Sequence, residues 1–139
     1  MENTMTERER QIQLQQLAAE TTTKRNAIQR KKDELTKEKL KALEEATNNY
    51  FKAKREMIER VDYFRDKKHE FDYDDPRMHQ AEDDARKEER RLSLLRTEHE
   101  YMLHRISNYY HLQRIDLDNE ERNLTEWYEN EKSSIMSKQ

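Results

Sequence analysis

A chain without glycine has few ways to turn sharply, and this one has no glycine in 139 residues. It has one proline, Pro76, close to the midpoint in the run Phe71-Asp72-Tyr73-Asp74-Asp75-Pro76. Proline disfavours helical dihedrals at the residue before it, here Asp75. It is also well placed as the first residue of a new helix, with aspartate in front as the N-cap. Everywhere else the charge and periodicity are those of helix. The expected fold is therefore all-α: a long antiparallel two-helix coiled-coil hairpin forming one domain over 1–139. Helix one runs over about 5–71, the turn over 72–75 and helix two over about 76–133.

Composition bears on how such helices can pack. Charged residues make up 42% of the chain and hydrophobic ones 32%. An ordinary globular domain is about 45–50% apolar and about 25% charged. A narrow seam between helices fits this balance better than a thick core. Disorder shares the same charge and hydropathy, but disordered chains are rich in proline and glycine and need no apolar period. A two-helix seam is thin, so self-association into a four-helix bundle is a natural second step.

The periodicity is explicit. In helix one, Leu14, Thr21, Ile28, Leu35 and Ala42 recur every seven residues. One residue later the series resumes as Leu43, Tyr50, Met57, Phe64 and Phe71, with Ala46, Ala53 and Val61 between them. That shift keeps a helix of ~3.6 residues per turn facing one way. Thr4 with Glu7, or equally Thr6 with Glu9, makes a capping box at its start. The stretch Lys24 to Lys41 is a soft spot, since Arg25, Lys32 and Lys39 fall on the seam face and Thr21-Thr22-Thr23 precedes it. Helix two repeats at steps of three, four and seven: Ala81, Ala85, Leu92, Leu95, His99 and Met102, then Ile106, Tyr109, Tyr110, Gln113, Leu117, Leu124 and Tyr128, with Ile135 at a frayed end. Folding about the turn sets residue i opposite about 147 − i. Phe64 then meets Ala81 and Ala85, and the basic run Lys24 to Lys32 meets Asp116, Asp118, Glu120 and Glu121.

The residue content speaks against several function classes. Without glycine there is neither a P-loop nor a dinucleotide fingerprint. Acid–base catalysis needs desolvated carboxylates in a pocket, which a two-helix seam does not offer, so no enzyme, cofactor or small-molecule substrate is expected. The chain has no cysteine, which removes disulfides and thiolate metal sites. His69 and His79 flank Asp72, Asp74 and Asp75, but a solvated turn using aspartates as caps explains them without a metal. His104 and His111 share a helical face and lack a third ligand. Net charge is −3, from 28 basic and 31 acidic residues, which gives no preference for nucleic acid. No apolar run approaches the ~20 residues of a membrane span. Met1 to Glu7 contains no apolar signal core, so an intracellular, cytoplasmic location is expected.

Two surfaces remain. Lys24, Arg25, Arg30, Lys31 and Lys32 form a basic cluster that could bind anions, although solvated salt-bridged faces explain most such runs. Outside the seam lies a second apolar stripe: Leu40, Phe51 and Ile58 on helix one, and Leu94, Tyr101, Leu112 and Ile115 on helix two. It stands about 80–140° around each helix from the seam. Phe51, Ile58, Leu94 and Tyr101 are expected at one level of the hairpin, as an interface for a partner. The favoured function is a non-enzymatic structural or adaptor coiled coil that docks other protein chains, or itself, in a larger assembly. One alternative is a stalk hairpin associated with an ATPase or a secretion ring. The other is a binder of nucleic acid or an anionic surface through 24–41, which would weaken steeply with salt.

Overall fold

The computed structural model describes residues 5–138. Two helices occupy nearly all of them: α1, Glu7–Lys68, and α2, Pro76–Ser137, each of 62 residues. They form an antiparallel helical hairpin.

Each helix starts where a side chain can satisfy its free N–H groups. At α1 the capping box is Thr6 with Glu9. Glu9 N–H donates to Thr6 Oγ1 at 3.2 Å, and Thr6 N–H donates to Glu9 Oε2 at 3.4 Å. The competing pair begins at Thr4, which lies outside the described residues. Glu7 and Glu9 at this end, and Arg65, Lys67 and Lys68 at the other, complement the helix dipole. At α2, Asp75 is the cap and Pro76 the first helical residue. Arg77 N–H donates to Asp75 Oδ1 at 2.9 Å.

The turn is longer than the sequence suggests. α1 stops at Lys68, and His69 and Glu70 donate to the carbonyls of Asp66 and Lys67, a tightened last turn. Asp75 N–H donates to the Asp72 carbonyl at 3.0 Å, which closes a second turn immediately before the cap. The Arg77 guanidinium pairs with Asp75 at 2.8 Å and stacks 4.6 Å from the Phe71 ring centre. The hydrogen bonds from the Arg77 side chain, and after them the one from its backbone N–H, hold the Asp75 carboxyl below its usual range. At the far end α2 runs through Ser133 and Ser134 to Ser137, past its expected end at 133. Ile135 is buried there, so packing holds the last turn.

Contacts divide the chain into two units. One comprises the segments up to Glu38 and from Tyr109 onward; the other is Lys39–Asn108. In the first unit Leu17, Thr21, Ile28, Leu124 and Ile135 are buried. Thr21 and Thr23 donate to the carbonyls of Leu17 and Ala19, so the threonine run is absorbed into α1. Lys32 is buried on the seam, its side chain 8% exposed, with Glu121 at 2.6 Å and Asp118 at 2.9 Å. Those bonds, to Asp118 first, raise the ammonium above its usual range against desolvation. The reciprocal bond from Lys32 depresses Asp118. By the mirror rule Lys32 would face residue 115. It reaches 118 and 121 because helical side chains lean toward their own N-terminus. Arg25, expected on the seam, is exposed.

In the second unit Val61, Met78, Ala81 and Ala85 are buried, with Leu43, Tyr50, Met57 and Phe64 half-buried. Glu88 is the buried charge here. Arg91 donates to its Oε1 at 2.9 Å and Arg60 Nε lies 3.5 Å from its Oε2, which has no protein hydrogen bond. Met102, Tyr109 and Gln113, expected in the seam, are exposed instead. Two helices cover one stripe of each other, and these positions fall on its edge. Among the described residues no side chain is fully enclosed.

Candidate functional site

The second apolar stripe is on the surface throughout. Leu40, Phe51, Ile58, Leu94, Tyr101, Leu112 and Ile115 are all exposed, from 39% for Ile58 to 65% for Tyr101. They do not form one patch. Phe51 and Ile58 line a shallow groove with Lys54, Arg55 and Glu59, all on α1. Leu94 and Tyr101 take no part in it. At ~100° per residue, Phe51 and Ile58 stand about 110–130° from the α1 seam, while Leu94 and Tyr101 stand on the back of α2. Being level along the hairpin puts residues side by side only when the helical phase also agrees.

The basic cluster is partly consumed by the fold. Lys32 is held by Asp118 and Glu121, and Lys31 lies 4.0 Å from Glu120. Lys24 pairs with Glu20 at 3.3 Å and lies 4.0 Å over the Trp127 ring. Arg25 and Arg30 are exposed. At the tip, His79 stacks edge-on with Tyr73, and Asp75 is committed to Arg77. Among the described residues no three His, Asp or Glu side chains converge to hold a metal ion. No helix among them is long and apolar enough to cross a membrane.

A feature that the periodicity concealed lies inside Lys39–Asn108. The seam there opens on one side into a groove of ≈ 480 Å³. Its α1 wall is small: Ala42, Ala46 and Ala53. Its α2 wall is Leu95 and Met102. Tyr50 and His99 form the floor, their rings stacked 4.2 Å apart and 7° from parallel. Glu45 and Glu98 stand at the rims, with Asn49 between. Alanine cannot reach across to the opposite helix, so the wall recedes and Met102 is left 47% exposed. Nearer the turn a second groove, ≈ 350 Å³, is lined by Phe64, Phe71 and Ala81 with Lys67, Arg77, Gln80 and Asp84. The Arg60–Glu88–Arg91 cluster separates the two along the same face of this unit.

The signal for the alanine groove was present in the sequence. Ala42, Ala46 and Ala53 follow steps of four and seven, a helical face made of small residues. Read as seam fillers, they predict closeness; the structure shows that they leave space. No protein-family model, curated protein or solved structure matches the chain.

Proposed function

We propose that this protein is a structural or adaptor element that acts by binding helices rather than by catalysis, through the open seam of Lys39–Asn108. The observation that carries this is the alanine groove. It has apolar walls of Ala42, Ala46, Ala53, Leu95 and Met102, an aromatic floor of Tyr50 and His99, and the acids Glu45 and Glu98 at its rims. Helix-in-groove recognition needs that arrangement: an apolar trough for residues at i, i+3, i+4 and i+7, with polar edges that set register. The outer positions Leu40, Phe51, Ile58, Leu94, Tyr101, Leu112 and Ile115 are single exposed side chains or short rows, of the kind normal on protein surfaces.

The test is site-specific photo-crosslinking in cells. A photoreactive residue replaces Asn49, at the groove, or Thr97, on the side of α2 that carries Leu94 and Tyr101. Discrete adducts at Asn49 and none at Thr97 are expected. Adducts at Thr97 alone would move docking to the outer stripe. Their absence at both positions would remove the docking role.

A further inference from the structure

We infer that the occupant of the alanine groove is a second copy of this chain, laid antiparallel on the same face so that each copy fills the other's groove. This rests on the docking function proposed above and names its partner. Two complementarities within Lys39–Asn108 support it.

The first is shape. The alanine groove is a hole made by small residues, and the same face carries a matching knob. Tyr63 is 58% exposed, and the Lys67 ammonium lies 5.6 Å from its ring centre. Lys67 also lines the groove nearer the turn. The Tyr63–Lys67 pair therefore stands at the lip of the face that bears the alanine groove. A large aromatic with a cationic end is the complement of an alanine-walled trough.

The second is charge. The alanine groove has Glu45 and Glu98 at its rims and no lysine or arginine in its lining. The groove near the turn has one acid, Asp84, and two cations, Arg77, which is already paired with Asp75, and Lys67. Parallel stacking of two copies would set like against like. Antiparallel stacking sets Lys67 of each copy beside Glu45 of the other.

The two features can be satisfied together. Along α1, positions 63–67 and 42–53 are separated by about 17 residues, or about 26 Å at ~1.5 Å per residue. A two-fold axis midway, near Glu56, exchanges knob and hole between copies. The contact is then self-complementary and closes at two subunits, without propagating into a fibre. It converts the thin two-helix seam into a four-helix core, with Met102 covered.

The experiment is sedimentation equilibrium of the full chain over a wide concentration range. The wild type should pass from one chain mass to two. Glu45→Lys should weaken dimerisation at least tenfold while far-UV circular dichroism stays unchanged. Adding Lys67→Glu to that variant should restore the dimer, because each swapped contact regains opposite charges. A dimer indifferent to these reversals would use another face and overturn the inference. A wild type that stays monomeric at every concentration would also overturn it. If adducts still form at Asn49 in that case, the groove binds a different chain and the docking function stands. If none form, both fail.

Discussion

Placing leucine at two alanines, Ala46 and Ala85, should move stability in opposite directions. Ala46 lines the open groove and is half-buried; Ala85 is 5% exposed in the seam near the turn. Leucine adds three carbons at either site. At ~0.8 kcal/mol per buried methylene, full burial would contribute about 2.4 kcal/mol. The groove is open on one side, so about half of that, near 1 kcal/mol, is expected from Ala46→Leu. Ala85 is far more deeply covered, among Arg65, Lys68, Glu82, Arg86 and Glu89, and forcing methylenes between these side chains costs about 1–3 kcal/mol. The small difference in helix propensity between alanine and leucine is common to both variants and cancels. The expected gap between them is therefore about 2–4 kcal/mol. At roughly 2–8 °C per kcal/mol for chains of this size range, that is a difference of many degrees in Tm. The assay is thermal unfolding by far-UV circular dichroism at a concentration where the chain is monomeric. Equal destabilisation of both variants would mean that Ala46 is as tightly packed as Ala85, and the groove argument would fail.

The Lys32 pair should shape stability at both ends of the pH scale. Asp118 is depressed below its ordinary 3.8, so its contribution is present above that value and lost as pH falls through the lower folded value. Lys32 is raised above 10.5, so its contribution is present below that value and lost as pH rises through the higher folded one. Asp118→Asn should flatten the acid limb of a urea-midpoint profile, and an unchanged limb would sink the assignment. Replacing Asp75 and Pro76 by alanine removes the cap and the break together, and should favour an uninterrupted helix in an opened, domain-swapped dimer. An unchanged compact species in solution scattering would show that the turn is specified elsewhere. Thr6→Ala removes the hydroxyl that accepts from Glu9, and should speed amide exchange in the first turn of α1 while leaving α2 untouched. Exchange rates equal to wild type at Arg8 to Arg10 would mean that the capping box is idle.

The hairpin was legible because its signals are local. A cap, a lone proline and an apolar period each act within a few residues, and at Thr6, Asp75 and along Leu14 to Phe64 they agree. Cross-helix charge was legible too, since Lys32 meets acids within the window that folding about the turn assigns to it. What periodicity could not supply is distance between surfaces. It placed Ala42, Ala46 and Ala53 on the seam without saying whether the opposite helix comes close enough to touch them. It put Met102 and Tyr109 on the same stripe as Leu95, although two helices cover only its centre. It also set Phe51 level with Tyr101 without the phase that turns their side chains to different faces. Sequence spacing determines which residues share one side of one helix, because that is backbone geometry. Which sides meet, and where they leave a gap, is decided by side-chain volume across two helices, and only the packed hairpin carries that.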